Sequence, residues 1–272
     1  MLAPQRQAAI LDRVRVTGGV RVTDLAAEFG VSDMTIRRDL ESLAERGLLA
    51  KVHGGATVAG AGSTDEPGFE AKSVRQRAEK AAIGARAARL VAPGMAVGLS
   101  AGTTTVALAR RLLGVAGLTV VTNSVPVADL FHRGGRTDQT VVLTGGVRTP
   151  SDALVGPVAV NAIRSLNLDL VFLGVHGMSE RAGFTTPNLM EAETNRALVA
   201  AAERLVVLAD HSKWEIVGIS SMAALAQAHT VVCDPGLPEH ARAVLREHVA
   251  DLLIAEAGSA ADPAPTAGGV SA

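Results

Sequence analysis

The chain has 272 residues, 48% of them hydrophobic and 2% aromatic, with a formal net charge of −1. That length suits roughly two domains, and the near-zero charge excludes a global basic field drawing the molecule onto nucleic acid or an anionic membrane. The lack of Tyr excludes stacking platforms for single strands or RNA, and a single cysteine, Cys233, excludes a disulfide framework or a multi-cysteine metal site.

Apolar runs are cut by charge, Pro or Gly short of the ~18 residues that a membrane span needs. The N-terminus carries Arg6 and Arg13 but no unbroken apolar core of the kind a signal peptide has. The expectation is a cytoplasmic, reducing location with no membrane partner. Cys233, in the apolar run TVVCD, reads as a small buried residue. The seven His do not cluster with Cys or acids at ligand spacing, so no metal and no cofactor is expected.

In chain order, the first predicted element is a helix from about Pro4 to Val16, with Ile10 and Val14 on one face. Val20-Arg21-Val22 predicts a short strand. Thr23 suits the N-cap of a helix over Asp24–Phe29, and Gly30 suits its left-handed exit. Ser32 caps the next helix, which runs to about Glu45 and ends at Gly47. Ile36, Leu40 and Leu43 form its buried stripe. Met34 and Arg38 point away from that stripe, and Thr35, Arg37 and Ser42 flank the exposed side.

Two short helices joined by a tight turn, the second opening with polar and basic residues, have the form of a helix-turn-helix. Such a second helix enters the DNA major groove and reads base edges. After Gly47, LLAKVHGGATV alternates around a Gly-Gly turn and predicts a β-hairpin, which makes the unit a winged helix-turn-helix. Lys51 and His53 on the wing are placed to meet phosphate or the adjacent minor groove. The expected DNA-contacting set is Ser32, Met34, Thr35, Arg37, Arg38, Ser42, Lys51 and His53. Residues 1–57 hold eight Lys/Arg against seven Asp/Glu, so affinity for duplex DNA calls for an oligomer or a concentrated basic face.

Residues 59–73, AGAGSTDEPGFEAKS, read as a linker between a DNA-binding domain over 1–58 and a second domain over 74–256. That domain opens with a predicted long helix at about 74–92. Strands MAVGLS, LTVVT, TVVLTGG, DLVFLGV, RLVVLAD and TVVCD follow. They are short and apolar, as strands buried on both faces of a parallel sheet should be. Helices through Leu112, near Val125–Phe131, over Leu189–Glu203 and over Glu239–Glu247 separate or flank them. This βαβ alternation predicts a doubly wound α/β domain. The tail over 257–272 has no core-forming content and reads as disordered.

Ligands of such sheets sit at the carboxyl ends of the strands, beside helix N-termini. Gly102-Thr103-Thr104-Thr105 lies there, and its backbone amides, hydroxyls and helix dipole suit a phosphate dianion. Thr is also an ordinary N-cap and Gly an ordinary turn residue. Asn123 follows VVT, Gly145-Gly146 follows VVLT, and Asp210-His211-Ser212-Lys213 follows LVVLA. Lys213 supplies a point charge for a phosphate, or is simply a surface lysine after a strand. Glu191, opening a helix with Glu193, suits sugar hydroxyls, although acids also favour the helix dipole. Arg148 and His176 are further polar candidates near strand ends, with His176 ranked below Lys213 because a lone His is more often structural.

The segments SDMTIRRDL, LAERGLLAKVHGGA, SAGTTT, VVTNS, LTGG, GFTTPN and DHSK, in that order to about residue 235, resemble the DeoR family of transcriptional regulators. The resemblance implies a winged helix-turn-helix joined to a sensor domain that resembles sugar-phosphate isomerases. It implies a repressor of carbohydrate pathways that is released from operator DNA by a phosphorylated sugar. It also strengthens the GTTT loop as a phosphate site and matches Lys213 to the lysine of the family's ligand site. A homo-oligomer, dimer or tetramer, would set recognition helices in successive major grooves roughly 34 Å apart.

Two rivals remain open. In one the chain is a sugar-phosphate isomerase-like enzyme with an accessory DNA-binding module, in which Glu191, Asp210 and a lysine move a proton α to a carbonyl. In the other the second domain only oligomerises.

Overall fold

The computed structural model describes residues 2–17, 19–46, 48–52, 54–58, 66 and 68–256, with positions 15, 16, 52 and 58 described by their backbone alone. The chain divides into two compact units, Met1–Gln76 and Arg77–Ala272.

The first unit runs α1 (Ala3–Thr17), β1 (Gly19–Arg21), α2 (Val22–Phe29), α3 (Asp33–Glu45), β2 (Leu49–Val52), β3 (Gly55–Val58) and α4 (Phe69–Ser73). Its three strands pair antiparallel in the order β1-β3-β2. Ile10 and Val14 of α1, Leu25 of α2, and Ile36, Leu40 and Leu43 of α3 meet in one core with Leu49 and Ala56 of the strands. This is a winged helix-turn-helix. Gly30 leaves α2 in the left-handed conformation at φ 62°, and the Ser32 hydroxyl caps α3 by accepting from the Thr35 amide.

The start of α2 differs from the sequence expectation. Val22 is helical rather than a strand residue, and the cap position is Arg21, without a side-chain cap bond. Thr23 lies inside the first turn, its hydroxyl donating to the Asp24 carboxylate. The Val22 amide instead donates to the Gly54 carbonyl of the wing at 2.9 Å, and its side chain is buried. A tertiary hydrogen bond thus replaces the local cap. Gly47, the expected end of α3, lies outside the described residues, and Arg46 occupies the C-cap.

Phe69–Ser73, read as linker, form α4, whose last hydroxyl returns to the Glu70 carbonyl. The long helix expected over 74–92 is shorter. Gln76, at φ 48°, interrupts the helical run. The following helix ends at Ala88, ahead of Pro93, which disfavours helix at the residue before it.

The second unit opens with α5 (Arg77–Ala88), β4 (Ala96–Leu99), α6 (Thr103–Leu112), β5 (Thr119–Thr122), α7 (Val125–Gly134) and β6 (Thr140–Leu143). Then come β7 (Val147–Arg148), β8 (Leu154–Val155), α8 (Pro157–Arg164), β9 (Leu168–Gly174), β10 (Gly177–Ser179) and β11 (Gly183–Thr186). It closes with α9 (Leu189–Ala200), β12 (Ala202–Leu208), β13 (Ser220–Ala223), β14 (Thr230–Cys233), α10 (Glu239–His248) and β15 (Asp251–Ile254).

Seven strands make one parallel sheet in the order β15-β14-β12-β9-β4-β5-β6. The chain starts in the middle at β4, winds outward to β5 and β6, and returns to build β9, β12, β14 and β15 on the other side. The topological switch point therefore lies between β4 and β9, which is the doubly wound arrangement. The central strands are apolar and buried: Val97, Leu99, Val120, Val121, Val171, Phe172, Val206 and Val231.

Two smaller antiparallel sheets, β7-β8 and β10-β11-β13, were not expected from the sequence, and neither were α8 and β15. The helix expected to reach Glu203 stops at Ala200, because Ala202 already pairs with Leu168 in the sheet. The tail over 257–272 lies outside the described residues.

Candidate functional site

On the first unit, α3 turns one face outward. Ser32, Met34, Arg37 and Arg38 are exposed, while Thr35 and Ser42 are partly buried on its flanks. Ser32 and Thr35 hydroxyls are 2.9 Å apart, so the first turn carries an interlocked polar pair. Lys51 on β2 reaches back to Glu41 of α3, with Nζ donating to Oε1 at 2.9 Å. That pair ties the wing to the recognition helix. His53 lies outside the described residues.

Sequence reasoning missed what sets the pose of α3. Asp39 is buried on its inner side and accepts from Arg6 Nε at 2.5 Å and from Gln7 Nε2 at 3.1 Å, both on α1. Arg46 in turn donates to Gln7 Oε1. A signal for Arg6 was present: it stands at i−4 from Ile10, on the same buried face of α1.

On the second unit, five groups of candidate residues follow the carboxyl ends of five adjacent strands. Lys213 comes after β12, His176 after β9, Gly102–Thr105 after β4, Asn123 after β5, and Gly145-Gly146 after β6. The fold therefore brings them to one edge of the sheet, centred on the switch point.

Gly102 caps α6 at φ 150° and ψ 157°, a region essentially closed to residues with a Cβ. The Thr105 hydroxyl donates to the Gly102 carbonyl at 2.7 Å and is fully buried, so it holds the loop's shape. Of the other two threonines, Thr103 is partly exposed and Thr104 is buried. The first amides of α6 have no helical carbonyl behind them, which suits an anion.

Two side chains stiffen this loop. Ser100 Oγ accepts from the Gly174 amide at 2.9 Å, joining the ends of β4 and β9 across the switch point. Asn123 is fully buried; its Oδ1 accepts from the Ala101 amide and its Nδ2 donates to the Leu154 carbonyl. Asn123 thus builds the loop's floor, and Ser100, missed in the sequence, does the same from the other side. At Gly146, φ 120°, an added Cβ would lie 2.5 Å from the Val155 carbonyl, so the chain crosses β8 only without a side chain.

Glu191 lies in the first turn of α9, partly buried, and accepts from the Thr186 hydroxyl at 2.9 Å. Glu193 faces outward. Arg148 is on β7, beyond the strand end, and its exposed guanidinium is paired with Asp152 at 2.6 Å. The His176 amide donates to the Thr185 carbonyl, linking the end of β9 to β11.

Lys213 is partly buried at the end of a single 3-10 turn, His211–Lys213. The buried Asp210 caps that turn through the Ser212 amide. His211 secures it to β14, its amide and Nδ1 each 2.7 Å from the Asp234 carboxylate. Burial pushes Asp234 up, but the hydrogen bonds from the His211 side chain and backbone outweigh it and hold the carboxyl below its ordinary range. Burial, with the neighbouring Asp234 charge, pushes the Cys233 thiol up, as suits a structural cysteine.

Two family models match in tandem. The DeoR-like helix-turn-helix domain covers residues 6–60, and the DeoR C-terminal sensor domain covers residues 75–235, more than half of the chain. The chain belongs to the DeoR family. It is a DNA-binding transcriptional regulator, and membership places it among regulators rather than enzymes.

The uncharacterized HTH-type transcriptional regulator YgbI of Escherichia coli K12 is 35% identical over 94% of this DeoR-family chain and 99% of its own. The HTH-type transcriptional regulator GlpR of Haloferax volcanii is 36% identical over 89% of this chain and 94% of its own. The glycerol-3-phosphate regulon repressor of Escherichia coli K12 is 30% identical over 91% of this chain and 97% of its own. Among the described residues of this regulator, no helix is long and apolar enough to cross a membrane. Nor do those residues contain a group of three His, Cys, Asp or Glu able to hold a metal ion.

Proposed function

We propose that this DeoR-family protein is a cytoplasmic repressor of carbohydrate-metabolism genes that binds operator DNA as a homo-oligomer and responds to a phosphorylated sugar. The DNA-binding domain spans residues 1–58 and the effector domain 74–256. Arg37, Arg38, Met34, Thr35 and Ser42 of α3 meet the major groove, with Ser32 at the helix start and Lys51 and His53 on the phosphate backbone.

The observation that carries the sensing half is the convergence of Gly102–Thr105, Gly145-Gly146, His176 and Lys213 on one edge of the sheet around the switch point. A glycine-capped helix start on the same sheet edge as a lysine, with one strand between them, suits a phosphate dianion. Glu191 suits the hydroxyls of the attached carbon chain, and Asn123 supports the loop. Arg148, exposed and paired with Asp152, belongs to the set at the end of β6. One relative is a glycerol-3-phosphate regulon repressor, which supports a phosphorylated ligand.

Phosphorylated sugar lowers operator affinity only if it binds the DNA-competent and DNA-incompetent states unequally. The test is a thermal-shift screen of sugar phosphates, with operator titrations in the presence of each hit, repeated with Thr104→Ala and Lys213→Ala. A selective shift, lost in both variants and accompanied by weaker operator binding, supports the reading. Operator binding indifferent to every compound, with no shift, leaves the second domain as an oligomerisation module. Turnover of any sugar phosphate into an isomer would reinstate the enzyme alternative.

A further inference from the structure

Asn195 stands in the middle of α9 at 1% exposure. Its Nδ2 faces the Met222 sulfur on β13 at 3.0 Å, a weak acceptor. Its Oδ1 is buried without a hydrogen-bond partner among the described residues. Exchanging the two amide atoms does not help: a thioether cannot donate to the oxygen, and the nitrogen would take the orphaned position. Buried polar groups are otherwise almost always satisfied, and one that is not is a destabilising feature that an apolar residue of similar size would remove.

The surroundings connect this atom to the effector edge. Glu191 is the i−4 neighbour of Asn195, one turn nearer the N-terminus on the same helix face. Glu191 is hydrogen-bonded to Thr186 of β11, and Asn195 touches Met222 of β13. Those two strands are neighbours in the small sheet β10-β11-β13. That sheet grows directly from the end of β9, to which the His176 amide and Thr185 carbonyl stitch it. Glu191 and Asn195 therefore put two acceptors in a row on one face of α9, both against the small sheet. A phosphate dianion offers only acceptors and has no use for such a row. A polyhydroxylated carbon chain offers O–H donors at successive carbons.

We propose that Asn195 is a specificity-determining residue of the effector site, its Oδ1 accepting a hydroxyl hydrogen from the carbon chain of the phosphorylated ligand. The inference rests on the reading of the second unit as a phosphorylated-sugar sensor. It adds that the site discriminates on hydroxylation as well as on phosphate.

The full-length protein and its Asn195→Leu and Asn195→Ala variants are to be titrated with inorganic phosphate, ribose 5-phosphate, fructose 1-phosphate, fructose 6-phosphate, glucose 6-phosphate and glycerol 3-phosphate. The deoxy analogues 2-deoxyribose 5-phosphate and 2-deoxyglucose 6-phosphate go alongside. The expected result is that both variants bind the best sugar phosphate at least about tenfold more weakly, with inorganic phosphate and ligand-free operator binding unchanged. Asn195→Leu should melt no lower than wild type, since the orphaned group is gone. Should Leu overpack and abolish operator binding, the smaller Ala decides. If wild type binds a sugar phosphate and the folded variants bind it equally well, the Asn195 assignment is overturned alone. If wild type binds no sugar phosphate, the sensor reading falls, and this assignment with it.

Discussion

The Arg6 guanidinium of α1 and the Asp39 carboxylate of α3 form an ion pair buried within the winged helix, at 2.5 Å and with side chains under a tenth exposed. Asp39 adjoins Arg38 in sequence, so the pair fixes the rotation at which α3 presents its outer arginines. Removing one partner leaves the other charge desolvated. Asp39→Ala is expected to destabilise the first unit by about 3–5 kcal/mol, with a parallel loss of operator binding. Replacing both residues by apolar ones of similar size should be much milder. Denaturant melts of the single and double variants check this; equal melts for Asp39→Ala and wild type would remove the pair from the account of the fold.

The exposed arginines should behave in the opposite way. Arg37→Ala and Arg38→Ala are expected to leave the melting temperature within about 1–2 °C of wild type, since surface changes rarely exceed ±0.5 kcal/mol. Each should weaken operator binding by about 1–3 kcal/mol where it reads a base, or flatten the salt dependence by about one unit where it meets a phosphate. Titrations at several salt concentrations distinguish the two roles. Unchanged affinity in both variants would rule out this face of α3.

Gly102 is a backbone requirement with a functional consequence. Gly102→Ala must adopt a conformation at φ 150° that is unfavourable by about 1–3 kcal/mol for any residue with a Cβ. The variant is expected to fold with reduced stability and to lose the thermal shift with sugar phosphate, while retaining operator binding. An unimpaired thermal shift would argue that the loop does not cradle the phosphate.

The Asp234–His211 contact sets an acid limb for the second unit. The Asp234 carboxyl is held below its ordinary 3.8. The stability it contributes is therefore fully present above pH ~4 and is lost as pH falls through its depressed folded value. In His211→Ala the ring's hydrogen bond disappears while burial and the backbone amide bond remain, so the Asp234 pKa moves back up toward its unfolded value and the acid-side loss of stability should shrink. Urea midpoints measured from pH 3 to 7 in both proteins test the sign. Superimposable profiles would mean that the pair contributes no pH-dependent stability.

Much of the winged helix was legible because its information is local. The spacing of Ile36, Leu40 and Leu43 reports one buried helix face, Ser32 reports a cap, and Gly30 a left-handed exit, each readable within a few residues. Apolar runs alternating with helices likewise identify a doubly wound sheet, and the rule that ligands gather at strand carboxyl ends pointed to Gly102–Thr105 and Lys213. The start of α2 misled, because the hydrogen bond that caps Val22 comes from Gly54, far along the chain.

What only the tertiary structure decided are the relations between distant residues. Ser100 bonds Gly174, 74 positions away, only because β4 and β9 are neighbours, and strand order leaves no trace in local periodicity. The two- and three-residue strands of the small sheets are too short to show a period at all. Asn195 in the sequence is one polar residue in a helix. It becomes an unsatisfied acceptor once β13 folds against α9, because hydrogen-bond satisfaction depends on every neighbour a side chain acquires, whereas periodicity records only the face on which it stands.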